Sequence, residues 1–378
     1  MKRIKIIILF TLFPAIFLSA QETLEQNIKK SLDSILNESG YPGAVFSYVL
    51  ADDTIHSVAS GYADIERKME MTPEYKMLSG STGKTFVSAI ALKLIDKGKL
   101  RLNDSLKYFF SSEPWFSKIP NHNTITVHHL MQHTSGIQRY EFKERFLADV
   151  VKDPDRVWKP EELLFYVFDE QPLFKAGTSY SYADTNYILL GMIIEKVTGE
   201  RYYDILKKWI TDPLDLTSVV PSTTKVIDSM ACGYSGENNE FGFTNRSIDE
   251  NGKFNNNTQF EWTGGGLAFK TRDYAKWLKI LHGSKFFINE ELITEFYSGF
   301  PTKEGGDYGL GLQIYNIPNI GEIYGHSGFF PGYLTIGNFH RDTRTIGVLQ
   351  INTSETDKLS GFFRNYLFLF KKVISHKS

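Results

Sequence analysis

A single cysteine, Cys232, stands in a chain of 378 residues, so no intramolecular disulfide can form. A chain of that length buries a core large enough to need none, with two or so structural units as the expectation. Cys232 lies in Ala231-Cys232-Gly233-Tyr234 and reads as a small packed residue. Charge of one sign is lacking too: 42 Lys and Arg against 44 Asp and Glu leave a formal −2, with no basic run beyond the N-terminus. That balance argues against nucleic acid as a partner. The apolar run Ile6–Leu18 is short for a membrane span, which needs about twenty residues. No internal repeat or low-complexity tract is visible.

What is there begins with that run. Lys2, Arg3 and Lys5 precede it and Ser19-Ala20 follow, in the order of a secretory leader with cleavage after Ala20. The expected division is a signal peptide over 1–20 and one domain over 21–378, in a periplasmic or secreted protein. Leu18 is large for its place before the cut, so a membrane partner enters only if the leader is left uncleaved. No cysteine near the junction could carry a lipid.

Hydrophobic spacing predicts a first helix over Leu24–Leu36 and a hairpin of Ala44–Leu50 and Thr54–Ser60. Helical patterns then dominate: Thr126–Gln132, Glu161–Phe168, Tyr187–Val197 and Tyr202–Ile210, with few strand signals between Gly98 and Met230. Asn238–Thr258 reads as a long polar loop at a cleft rim. Helices over Thr271–Leu281 and Glu290–Tyr297 follow. The end returns to strands at Gly309–Tyr315, Ile320–His326, Tyr333–His340 and Thr345–Asn352, then a helix over Lys358–Val373. The expected fold class is α/β of the α+β kind, an antiparallel sheet flanked by helices. The sheet unit would span about 21–98 and 259–378, and an all-helical insertion about 99–258.

Chemistry concentrates at Leu78-Ser79-Gly80-Ser81-Thr82-Gly83-Lys84-Thr85 and the apolar helix predicted over Thr82–Lys97. Ser81 falls at the helix N-terminus, beside free N–H groups and the positive end of the dipole. Lys84 follows one turn later on the same face, where its amine can hold or accept the hydroxyl proton. A P-loop reading of Gly83-Lys84-Thr85 fails because Leu78 stands where that loop needs glycine. His129 and His133 share a helix face, but Leu130 occupies the place where a zinc protease helix needs glutamate. No metal and no cofactor are expected.

Acyl transfer also needs a proton shuttle, oxyanion donors and groups to orient the substrate. Tyr182-Ala183-Asp184, at the mouth of the Tyr187–Val197 helix, and Tyr324-Gly325-His326-Ser327-Gly328-Phe329, at the end of a predicted strand, supply candidates. With Ser81-Thr82-Gly83-Lys84, His133-Thr134-Ser135-Gly136, Gly177-Thr178, Gly265-Gly266-Leu267 and Tyr308-Gly309-Leu310-Gly311, they occur in an order that resembles the serine β-lactamase and penicillin-binding-protein superfamily. Class C β-lactamases, serine D-alanyl-D-alanine carboxypeptidases and their esterase relatives are the nearest groups, and the resemblance runs from about Leu24 to the C-terminal helix.

The resemblance implies a β-lactamase/transpeptidase-like fold and an acyl-enzyme on Ser81, activated by Lys84, with Tyr182 shuttling protons. It implies an oxyanion hole from the backbone N–H groups of Ser81 and Phe329, and substrate contacts from Asp184, His326, Ser327 and Gly328. Its substrate would be a small molecule or peptide, with peptidoglycan one candidate. A catalytically weak protein that binds peptidoglycan fragments is the alternative. Asp184 departs from the pattern, where asparagine is usual; an ionised Asp only accepts hydrogen bonds. Near Lys84 it would favour a charged ammonium, leaving Tyr182 as the base, with its pKa lowered by that charge. The change argues for an esterase or peptidase over an efficient β-lactamase.

Overall fold

Gly43–Val49 (β1) is buried along its whole length, and Ile346–Ile351 beside it is too. Strands with both faces covered read as unbroken apolar runs, and these two sit at the middle of a nine-stranded sheet. A computed structural model describes residues 24–237, 239, 241–283, 286, 289–359 and 361–376. The leader expected over 1–20 lies outside these residues.

The remaining strands are β2 (Ile55–Asp64), β3 (Met69–Glu70), β4 (Met77–Leu78), β5 (Val220–Pro221), β6 (Leu267–Phe269), β7 (Phe300–Pro301), β8 (Asp307–Tyr308), β9 (Gln313–Ile317), β10 (Gly321–Phe330), β11 (Tyr333–His340) and β12 (Ile346–Ile351). The large sheet runs β3-β2-β1-β12-β11-β10-β9-β8-β7, and β4-β6-β5 form a small second sheet. Every strand pair is antiparallel, so the two ends of the chain interleave: β1 pairs β12 with Phe46 opposite Leu349. One face is covered by the first helix, over 24–39, and the last, Phe362–Ile374, through a core that includes Ile28, Leu32, Tyr366 and Leu369. The other face carries Thr271–Leu281 and, beyond it, the larger core shared with the helical unit.

The helix after the serine motif is buried nearly all round, as expected of a helix apolar on every side. It packs on Asp184–Thr198 and, through Phe86 and Thr85, on Trp277 of the helix Thr271–Leu281. Phe86 stacks on Trp277 with centroids 4.6 Å apart, and Trp277 Nε1 donates to Thr85 Oγ1 at 3.0 Å.

Among the boundaries that differ from the sequence reading, three bear on the site. The helix starts at Lys84, and Ser81 sits in the 3-10 turn Gly80–Gly83 before it. The helix expected from Tyr187 starts at Asp184. β10 continues through Ser327-Gly328-Phe329 because β11 folds back on it, pairing Gly328 with Thr335 and Phe329 with Leu334. Between the two parts of the sheet unit, helices dominate as far as Thr211, with a π-helical last turn, and β5 then joins β6.

Two measurements test this packing. Phe86→Ala should cost about 3–5 kcal/mol by denaturant unfolding, as for other buried aromatic truncations. His282 stacks on Phe339 at 4.9 Å, and burial pulls its pKa down to about 3. The unfolded chain therefore binds more protons between pH 6.5 and 3, and stability falls as pH drops through that window. At pH 5 this histidine should cost about 2 kcal/mol relative to pH 7, and His282→Phe should flatten the slope by that amount.

Candidate active site

The Ser81 turn is clamped by backbone on both sides. Gly80 has φ +49°, and a Cβ there would lie 2.5 Å from both N and O of Phe329. A Cβ on Gly328 would lie 2.0 Å from the Ser79 carbonyl and 3.1 Å from Ser81 N. Only glycine at both positions lets the turn and β10 run this close. The approach brings the backbones of Ser81 and Phe329, the expected oxyanion donors, side by side on the wall of one cleft.

Lys84 is fully buried, and its Nζ meets three oxygens. It donates to Ser81 Oγ at 3.0 Å, to Asp184 Oδ1 at 2.5 Å, and to the carbonyl of Gly264. The tyrosine helix supplies Asp184 from its first turn, where a carboxylate also meets the helix dipole favourably. Gly264 follows Trp262, whose backbone is strained at φ 38°, ψ −115° inside the turn Thr258–Gly264. Asp184 and Gly264 O can only accept, so two of the lysine's hydrogens are committed to them. The third direction points at a hydroxyl, which can either accept from an ammonium or donate to an amine.

Tyr182 lies beside this pair, with Lys84 Nζ 5.0 Å from its ring centroid. Burial, then the Asp184 carboxylate, push its pKa well above the usual phenol value; the Ser81 hydroxyl acts in the opposite direction. This corrects the expectation of a tyrosine base with a lowered pKa. Burial and the Asp184 carboxylate both oppose ionisation, so Tyr182 rests as a phenol.

His133 holds the tyrosine loop. Its Nδ1 accepts from Ala183 N at 3.2 Å and Asn186 Nδ2 at 3.0 Å, which places the ring proton on Nε2. Its ring packs 4.1 Å from that of Tyr182, and Ser135 Oγ donates to Asn186 Oδ1 at 2.5 Å. His129, the other half of the zinc spacing, accepts from Thr126 N in a capping box.

His326 is buried in β10, and burial followed by the Lys84 charge pulls its pKa down to about 3. The neutral ring donates from Nδ1 to the Ser327 carbonyl at 2.5 Å and accepts at Nε2 from Tyr308 Oη at 2.9 Å. Both nitrogens are thus engaged within the protein. Ser327 N donates to Gln313 Oε1 at 2.9 Å. His326, Ser327 and Gly328 all line the cleft together with Ser81 and Tyr182.

Two spaces meet at Ser81. An open cleft of about 510 Å³ runs past Tyr182, Tyr308 and β10 to Leu359 and Phe363. A cavity of about 80 Å³ lies on the other side, walled by phenylalanines and floored by Asp184, Glu141 and Glu261. The loop expected to be polar supplies two of those walls, Phe241 and Phe243, with Phe241 5.4 Å from Phe329. Arg139, Glu141 and Glu261 escaped sequence reasoning. The run Arg139-Tyr140-Glu141 begins three residues after the His133–Gly136 motif, which was the available signal; Glu261 had none.

A family model described as Beta-lactamase matches residues 24–363. The chain is 25% identical over 343 residues to penicillin-binding protein 4* of Bacillus subtilis (strain 168), covering 88% of this chain and 73% of that protein. Its fold is similar to that of D-amino acid amidase from Ochrobactrum anthropi SV3, with a TM-score of 0.77 and 22% identity over 94% of this chain and 98% of that one. D-stereospecific amidohydrolase from Streptomyces sp. has a TM-score of 0.76 at 23% identity, over 93% and 98% of the two chains. With the matched model spanning both parts of the sheet unit and the helices between them, the chain belongs to the Beta-lactamase family, in the serine β-lactamase and penicillin-binding-protein-like superfamily.

Proposed function

We propose that this protein is an exported serine hydrolase that cleaves a small amide or ester through an acyl-enzyme on Ser81. The observation that carries the reading is the Lys84 Nζ–Ser81 Oγ contact of 3.0 Å, made by the one lysine position not committed to Asp184 or Gly264. In its amine form Lys84 takes the Ser81 proton at that position as Oγ attacks the acyl carbon. The N–H groups of Ser81 and Phe329 hold the carbonyl oxygen as charge develops; such a donor contributes roughly 2.7–4 kcal/mol.

Tyr182, a phenol at rest, then gives its proton to the leaving group as the carbon–leaving-group bond breaks. In the second half the phenolate left on Tyr182 takes a proton from the attacking water, and Lys84 gives the proton it took back to Ser81 Oγ as the acyl bond breaks. Water reverses the sequence to free the acid. His326 acts here as a support for Tyr308 and β10, and Ser327 and Gly328 border the path of the leaving group. The amidase and penicillin-binding relatives agree with an amide-type acyl donor, without extending their own substrates to this chain. Export rests on the leader sequence.

Ser81→Ala should abolish turnover of both p-nitrophenyl acetate and a small acyl p-nitroanilide. Equal rates for wild type and variant would overturn the reading in favour of a binding protein. Tyr182→Phe separates the proposed acid from a base. It should lower kcat on the anilide at least tenfold more than on the p-nitrophenyl ester, whose leaving group needs no proton. Equal losses on both substrates would make Tyr182 the base instead. Mass spectrometry of protein exported by a bacterial host should find an N-terminus at Gln21.

A further inference from the structure

The small cavity beside Ser81 is apolar in its walls and acidic at its floor. Phe146, Phe241, Phe243, Phe260 and Phe330 line it. Three carboxyl groups, Asp184, Glu141 and Glu261, face two cations, and both cations are already engaged. Lys84 is held by Asp184, and Arg139 Nε donates to Glu141 Oε1 at 2.7 Å. Glu261 has no ion-pair partner among the described residues. Glu141 and Glu261 are 9% and 6% exposed, yet Oε2 of each has no hydrogen-bond partner among the described residues.

A buried carboxyl oxygen without a partner costs free energy unless a ligand supplies one. The free protein meets part of that cost by protonation: burial, then the Asp184 charge, push Glu261 well above the usual carboxyl range. An anionic ligand is excluded by the same charges. A bare metal ion is not favoured either, since among the described residues no three acidic, histidine or cysteine side chains come together at metal-binding distances. What the space fits is a polyatomic cation with an apolar body.

We infer that this cavity takes the acyl side of the substrate, and that the acyl group carries a protonated primary amine next to an apolar or aromatic side chain. The substrates are then amides or esters of α-amino acids with a free amino group. Their ammonium is held by Glu261 and Glu141, their side chain by the phenylalanine walls, and their leaving group lies in the open cleft. This inference rests on the acyl-enzyme reading of Ser81 and names its substrate class.

The test has a kinetic and a binding arm. Phenylalanine p-nitroanilide, in both enantiomers, is compared with the 3-phenylpropionyl p-nitroanilide that lacks the amine. The better enantiomer should exceed the des-amino compound in kcat/KM at least tenfold, and Glu261→Gln should reduce that ratio to near one. Calorimetry on Ser81→Ala protein should show 2-phenylethylamine binding at least tenfold more tightly than 2-phenylethanol, with the difference lost in Ser81→Ala/Glu261→Gln. Thermal unfolding of each variant identifies any that fail to fold, and Glu141→Gln then serves as the second variant. Equal binding of amine and alcohol, or a des-amino substrate as good as the amino one, overturns the inference whatever Ser81 does. Selective amine binding without any Ser81-dependent hydrolysis leaves the cavity assignment standing and sinks the acyl-enzyme reading alone.

Discussion

A lysine ammonium in the core is the constraint on which the site depends. Lys84 is wholly removed from solvent, and a buried charge is tolerated only when paired and hydrogen-bonded. Its partners come from three separate parts of the chain: the turn before its own helix, the start of the tyrosine helix, and the strained segment after Trp262. Each lies within a hydrogen bond of Nζ only when the sheet unit and the helical unit are docked. Removing one partner of such a pair typically costs about 3–5 kcal/mol, because the remaining charge is left uncompensated. The same interaction that locks the two units together thus orients the serine.

That arrangement bears on reactivity. Two acceptor-only oxygens fix two of the lysine's hydrogens, so the remaining direction, toward Ser81, is the one where proton transfer can occur. Asp184 takes part twice: it holds Lys84, and it helps keep Tyr182 protonated. An asparagine would hold Lys84 with its carbonyl but would lack the charge. The aspartate therefore bears on both partners, holding the lysine in place beside Ser81 and the tyrosine in its phenol form.

The acid cluster extends this logic outward. Burial and the Asp184 charge raise the proton affinity of Glu141 and Glu261, and all three carboxyl groups line one cavity with Ser81 and aromatic side chains. The histidines near the site have the opposite character. His133 and His326 are neutral, buried and spent on hydrogen bonds that hold the tyrosine loop and Tyr308. They shape the site without lending it charge.

Local pattern made much of this legible. Alternation and helical spacing located the terminal strands and the serine helix, because burial of one face leaves a period in the sequence. Short motifs marked Ser81, Lys84, Tyr182 and His326 through the family resemblance. Where the reading slipped, pairing partners distant in sequence were responsible. β10 runs on through Ser327-Gly328 because β11 returns along it, and no local propensity reports that. Phe241 and Phe243 lie in a loop that reads as polar, and only the tertiary structure brings them to the small cavity beside Ser81. Glu261 carries no motif at all; its significance is the absence of a partner in a buried place, which exists only once Asp184 and Glu141 surround it. The sequence by itself determined the residue types able to do acyl transfer and the elements that carry them. Tertiary structure decided which protons are held, which groups are neutral and which side of the serine is acidic, because those depend on distances and burial between residues far apart in the chain.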